Sequence, residues 1–242
     1  MSDETLVLAV PSKGRLEEQT RLVFSEARLP ITRPGGARSY VGTITNQPQV
    51  SVRFYPAGEI ARELMMGTID LGVTGSDLVH ESAENGGENV VFVKALGFGE
   101  ADVVVAVPDA WIDVTQMGDL ADVASDFRAR HGRWLRVATK YTHLTRRFFS
   151  SYGIAEYRIV ESAGATEAAP ASGAADLIVD ITSSGETLTA NSLRILEDGL
   201  VMHSEANLVV SKSASWSPMK KAQLEALLSI MGGIAPGTST LL

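Results

Sequence analysis

Residues 176–187 read D-L-I-V-D-I-T-S-S-G-E-T. The first half is an apolar run with a carboxylate near each end, the pattern of a buried parallel strand. The second half sets small hydroxyl residues around one glycine, after which Leu188, Asn191, Leu193 and Ile195 fall at helical spacing. A strand that ends in a hydroxyl-rich turn and opens a helix presents N–H groups and a positive dipole end to an anion. Thr182, Ser183, Ser184, Gly185, Glu186 and Thr187 would form that cradle. Asp180, at the carboxyl end of the strand, would hold sugar hydroxyls beside the bound phosphate. That pairing suits a phosphorylated ribose. The plainer alternative is that Ser and Thr at a helix start only cap it. Asp176 begins the strand, where a structural role fits better.

Other turns carry charge. Lys13 and Arg15 flank Gly14 just after the strand-like run at residues 6–10, and a glycine there lets backbone approach a ligand closely. Taken alone, basic residues after a strand are as well explained by solvation. Arg53 precedes Phe54-Tyr55-Pro56 at a strand end; with Arg33 or Arg38 it has the planar donors that grip paired phosphate oxygens. Thr74-Gly75-Ser76-Asp77 is a second helix-start turn, which either borders a cleft or is explained by Asp77 as a cap. Glu167 either binds a ribose hydroxyl or caps a helix from inside its first turn. Phe98, Trp111 and Trp134 could stack on a base, although core packing is the commoner fate of such residues. His80, His131 and His203 have no partner that the sequence names. No Asp/Glu/His cluster resembles an all-protein metal cage.

The elements that must position these residues alternate. Strands are predicted at residues 6–10, 50–55, 70–74, 90–95, 102–107, 135–138, 157–160 and 176–181. Helices are predicted at 16–27, 58–66, 117–131 and 143–152, with a short one at 165–172 and an amphipathic one, SPMKKAQLEALLSIMG, from about residue 216. Residues 131–134 and 232–238 read as loops. Such alternation predicts an open α/β architecture with parallel strands, in which ligands bind outside the carboxyl ends of strands. Residues 98–107 and 182–190 look like two crossings between lobes.

Composition sets the bounds. The chain has 242 residues, 45% hydrophobic and 21% charged, with a formal charge of −8 and no cysteine. It is long enough for one large or two small cores. The acidic balance argues against an extended nucleic-acid surface. Without cysteine there is no disulfide, thiol nucleophile or thiolate metal site, which suits a reducing cytoplasm. Neither a signal peptide nor a run of ~20 apolar residues stands out, so a cytoplasmic location away from membranes is expected.

Glu167, Gly173, Ala175, Asp180, Gly185 and Thr187 fall in a spacing that resembles ATP phosphoribosyltransferase, the first enzyme of histidine biosynthesis. Pro11-Ser12-Lys13-Gly14-Arg15-Leu16 is similar to the family's P-x-K-G-R-L, and residues 67–77 (GTIDLGVTGSD) to its A-D-L-G-I-T-G-x-D. Leu96-Gly97-Phe98-Gly99 is similar to its L-G-F-G, and residues 138–148 (ATKYTHLTRRF) to its A-T-K-Y-x-N-L-T-R-R. The segments keep family order from residue 5 to about residue 210. Where most members carry Thr-Gly this chain has Ser184-Gly185, which keeps the hydroxyl.

The resemblance implies a two-lobed, type II periplasmic-binding-protein-like α/β fold with open, mostly parallel sheets and a substrate cleft between lobes. Residues 1–97 and 186–242 would make one lobe and 98–185 the other. It implies transfer of the phosphoribosyl group of phosphoribosyl pyrophosphate to N1 of ATP, with Mg²⁺ carried mainly by substrate oxygens and no protein metal site. Lys13, Arg15 and Arg53 would be catalytic, and Arg33 or Arg38 would bind pyrophosphate. Lys140, Tyr141, Thr74 and Gly75 would line the nucleotide side. His143 is left out of the catalytic set, because an unprotonated ring nitrogen needs no strong base. A chain ending after the amphipathic helix resembles the short form. That implies a homodimer working with a histidyl-tRNA-synthetase-like regulatory subunit. Two rivals are a solute-binding module and a phosphoribosyltransferase of the other common fold. The latter's fingerprint has two adjacent acids where Val179-Asp180-Ile181 has one.

Overall fold

The computed structural model describes residues 4–82, 89–162 and 164–232. In chain order the first elements are β1 (Leu6–Pro11), α1 (Gly14–Glu26), β2 (Ile31–Thr32), β3 (Val41–Ile44), β4 (Gln47–Tyr55), α2 (Ala57–Met66), β5 (Leu71–Gly75), α3 (Ser76–Ser82) and β6 (Val90–Ala95). Then come β7 (Ala101–Pro108), α4 (Met117–His131), β8 (Leu135–Thr139), α5 (Thr142–Ser151), β9 (Tyr157–Glu161), β10 (Leu177–Thr182) and α6 (Glu186–Ala190). The last are β11 (Leu193–Ser204), β12 (Ala206–Ser211) and α7 (Pro218–Ile230). They form two compact units, one built from both chain ends (to Gly99 and from Glu205) and one from Glu100–Ser204.

The unit of the chain ends holds a seven-stranded sheet ordered β2-β3-β4-β1-β5-β12-β6. β1 is apolar throughout because both its faces are covered. Leu6, Leu8 and Val10 join Phe24 of α1 and Leu224, Leu227 and Leu228 of α7 in one core. Ala9 joins Ile60, Ala61 and Leu64 of α2 in the other. α7 is tied down by Lys220, whose Nζ lies 2.9 Å from Asp70 Oδ1, while Asp70 Oδ2 accepts the Val7 N–H at 2.7 Å. Both side chains are buried, so each charge needs that partner.

The middle unit holds a five-stranded sheet ordered β11-β7-β10-β8-β9. β8, β9, β10 and β11 run in one direction; β7, between β10 and β11, runs against them. Asp176 locks the amino-terminal edge: it takes a bidentate contact from Arg133 at 2.6 and 2.7 Å and the Arg136 N–H at 2.8 Å. Burial pushes its carboxyl up, but the hydrogen bonds from Arg133 and Arg136 outweigh this and hold it down at about 2.

The expected α/β architecture is present, with several differences. The sheets are mixed. β7 and β12 begin just after a crossing between units and enter their sheets from the edge where the parallel strands end, Asp102 beside Thr182 and Ala206 beside Gly75. Residues 186–204, expected with the chain ends, belong to the middle unit, because β11 pairs along β7 from Leu193 to Ser204. The helix expected to continue through Leu193 and Ile195 stops at Ala190, and the helix expected at 165–172 is one 3-10 turn at Thr166–Ala168. His131 still belongs to α4, which ends at Gly132 with φ 67. Most of the loop expected at 232–238 lies outside the described residues. Among the described residues no helix is long and apolar enough to cross a membrane.

Candidate active site

In the middle unit the carboxyl edge is made by β8, β9 and β10, aligned with Thr139 beside both Val179 and Glu161. One residue on, Asp180 and Lys140 come side by side, with Lys140 Nζ 3.8 Å from Asp180 Oδ1. The same Oδ1 accepts the Ile181 N–H at 2.8 Å. Ser183-Ser184-Gly185 then turns the chain into α6, with Gly185 at φ 76, a left-handed conformation that suits glycine. Thr182 Oγ1 accepts the Gly185 N–H at 2.9 Å and Ser184 Oγ the Glu186 N–H at 3.4 Å. These hydroxyls act as acceptors within the turn, and a hydroxyl that accepts still carries a proton it can donate to an anion. Ser183, Ser184, Glu186 and Thr187 are exposed, whereas Leu188 is buried and anchors the turn to the core. With five residues α6 supplies little macrodipole; what the turn offers is N–H and O–H donors. Glu167 lies half-buried in the 3-10 turn that packs beside β10, where Thr166 Oγ1 bonds Ser162 Oγ at 3.0 Å.

In the other unit the parallel strands β4, β1 and β5 end on one edge, and each leads into a helix: α2, α1 and α3. Lys13, Gly14 and Arg15 are exposed there, and no ion pair within the described residues engages Lys13 or Arg15. Gly14 has φ 74 with open space where a side chain would stand. Arg53 is half-buried on β4, paired with Ala9 of β1. Arg33 comes to the same turn: its Nη1 donates to Ser12 O at 3.3 Å and lies 3.6 Å from Glu17, and its Nε donates to Ser39 O at 2.5 Å. Its guanidinium stacks 4.2 Å over Phe54, and its side chain is only 8% exposed. Arg38 is exposed and, among the described residues, has no such tie to the turn.

The four residues expected on the nucleotide side separate. Lys140 is half exposed at the edge of the middle unit. The Tyr141 side chain is 1% exposed, so its ring is core and its N–H bonds Thr139 Oγ1 at 2.8 Å. Thr74 is fully buried, and its hydroxyl donates to Ala57 O at 2.9 Å, which fixes the start of α2. Gly75 is buried in β5 opposite Ala206. Tyr141, Thr74 and Gly75 thus support the edges from behind. Sequence reading overlooked the Pro56-Ala57-Gly58 turn that opens α2 at the Lys13 edge; a proline and two small residues at a strand–helix junction were the available signal. The histidines do find neighbours: His203 Nδ1 lies 2.6 Å from Asp102, His131 tilts on Phe127 and His80 stacks on Phe92.

Known proteins match this arrangement. Residues 56–233 match the family HisG, ATP phosphoribosyltransferase. The chain is 57% identical over 221 residues to an ATP phosphoribosyltransferase of Bradyrhizobium sp. (strain ORS 278), covering 90% of this chain and 68% of that protein. It therefore spans about two thirds of that relative's length. A chain of the ATP phosphoribosyl transferase (HisG:HisZ) complex from Thermotoga maritima superposes with a TM-score of 0.70 at 25% identity, over 94% of this chain and 96% of that one. The periplasmic aliphatic sulphonate binding protein SsuA from Escherichia coli shares the fold alone, at 17% identity and a TM-score of 0.50, over 94% of this chain and 67% of that one. The solute-binding likeness is thus one of architecture, and the chain belongs to the HisG family, the ATP phosphoribosyltransferases, which carry out the first step of histidine biosynthesis.

Proposed function

We propose that this chain is the short-form catalytic subunit of an ATP phosphoribosyltransferase and that the carboxyl edge of its middle unit holds the phosphoribosyl group. The observation that carries this reading is Asp180 standing directly ahead of a hydroxyl turn that is already braced by its own hydrogen bonds. Thr182, Ser183, Ser184, Gly185, Glu186 and Thr187 take the 5-phosphate, and Asp180 with Glu167 takes the ribose hydroxyls. Lys13, Arg15 and Arg53 bind the diphosphate, and Arg33 holds the turn that carries Lys13 and Arg15.

In the reaction the C1–O bond breaks with its electron pair going to pyrophosphate, and the lone pair of adenine N1 forms the new bond to C1. The ribose passes through an oxocarbenium-like state. What the protein must supply is a fixed ribose and positive charge over the departing oxygens, not a covalent nucleophile. Among the described residues no group of three or more His, Asp or Glu side chains is placed to hold a metal ion. We place Mg²⁺ on diphosphate oxygens and water, with few or no protein ligands; there it would offset the charge of the leaving group.

We also propose a homodimer that assembles with a regulatory subunit of the HisZ kind, a reading supported by the Thermotoga maritima HisG:HisZ complex. A cytoplasmic location fits a chain without cysteine. The test is an assay of the purified chain with ATP, phosphoribosyl pyrophosphate, Mg²⁺ and a pyrophosphatase, followed by absorbance of the N1-substituted adenine. Product from the lone chain supports the catalytic assignment. Product only with the regulatory subunit makes that partner obligatory. Silence in both overturns the proposal.

A further inference from the structure

We infer that Lys140 is a positioning residue for the ribose clamp, acting through Asp180 rather than on the nucleotide. The inference rests on the reading of Asp180 as the ribose ligand. The parallel pairing of β8 with β10 puts Val179 opposite Thr139, so Asp180 and Lys140 leave their strands together. Tyr141 gives the lysine a fixed base: its side chain is 1% exposed, its N–H is held by Thr139 Oγ1, and Lys140 Nζ lies 4.9 Å over its ring. From there the ammonium reaches to 3.8 Å from Asp180 Oδ1, an ionic contact longer than a hydrogen bond.

The orientation of the carboxylate follows. Both recorded contacts of Asp180, the Ile181 N–H at 2.8 Å and Lys140, fall on Oδ1. Among the described residues nothing is recorded on Oδ2, which is left to accept from a ligand hydroxyl. Asp180 is 16% exposed at its side chain and Lys140 45%, so the carboxylate is sheltered and the lysine flanks it from the solvent side. Without Lys140 one anchor of Oδ1 remains, and the carboxyl group can turn away from the ribose.

The experiment is a double-mutant cycle in the full chain, assayed with its regulatory subunit if activity requires it. Lys140→Met keeps the stem over Tyr141 and removes the charge, Lys140→Arg keeps the charge, and Asp180→Asn removes the clamp. Lys140→Met should raise KM for phosphoribosyl pyrophosphate about threefold to fivefold. KM for ATP and the melting temperature should stay unchanged, and Lys140→Arg should recover most of the loss. In the Asp180→Asn background Lys140→Met should have no further effect. Additive losses, or a rise in KM for ATP instead, overturn the positioning role while Asp180 stands. If Asp180→Asn leaves phosphoribosyl pyrophosphate kinetics untouched, the ribose reading fails and this inference falls with it.

Discussion

The two units reach the same topology at their carboxyl edges and put different chemistry on it. In the unit of the chain ends the edge offers cations, Lys13, Arg15 and Arg53, and the first two are exposed without ion pairs among the described residues. In the middle unit it offers a carboxylate and hydroxyls already organised by Ile181 N–H, Gly185 N–H and Lys140. An organised clamp binds the ground state and the transition state alike and shows in KM. Under the proposed function, positive charge placed on the leaving group counts most as negative charge develops, and would show in kcat.

The comparison can be broken at four places. Arg53→Ala should lower kcat about 100-fold while KM for phosphoribosyl pyrophosphate changes little; a loss confined to KM would put Arg53 in the ground-state clamp instead. Asp180→Asn should lower kcat/KM for phosphoribosyl pyrophosphate about thirtyfold, the scale of a hydrogen bond to a charged group, and leave KM for ATP alone. Thr187→Ala should raise KM for phosphoribosyl pyrophosphate about fivefold, since one neutral donor is lost from an exposed turn; unchanged kinetics would remove Thr187 from the cradle.

The smallest effect on activity belongs to Asp176, at the opposite edge of the same sheet. Its carboxyl is held at about 2, below the usual value of about 3.9, so its contribution to stability is complete above the usual value and is lost as pH falls toward 2. Asp176→Asn should melt lower at neutral pH, with a flatter dependence between about pH 4 and 2 and unchanged KM values. A variant as acid-sensitive as the parent would contradict this.

Most of this was readable where local chemistry and tertiary structure agree. The run from Leu6 to Val10 followed by Lys13-Gly14-Arg15 is strand, turn and helix at every level. β11 was hidden because Asp198-Gly199 breaks its alternation: the register slips between Ile195 and Leu200, and a side chain at Gly199 would meet Leu196 at 2.9 Å. Leu193 and Ile195 then fell by accident at helical spacing after Leu188. Arg33 shows the limit for the site. Its sequence neighbours Pro34-Gly35-Gly36 say only loop; the Phe54 ring and the Ser12 carbonyl that give it a place come from β4 and from the turn after β1.

The position of β12 has a consequence for how the protein is made. In its sheet β12 lies between β5 and β6, and among the described residues β6 has no other strand partner there. The ribosome delivers β6 and then the whole of Glu100–Ser204 before β12 appears. The middle unit is continuous and can close as soon as it emerges. The unit of the chain ends must wait, with β5 and β6 separated by a missing strand, until residue 211 is out. The half of the protein that is synthesised first is therefore the half that is finished last.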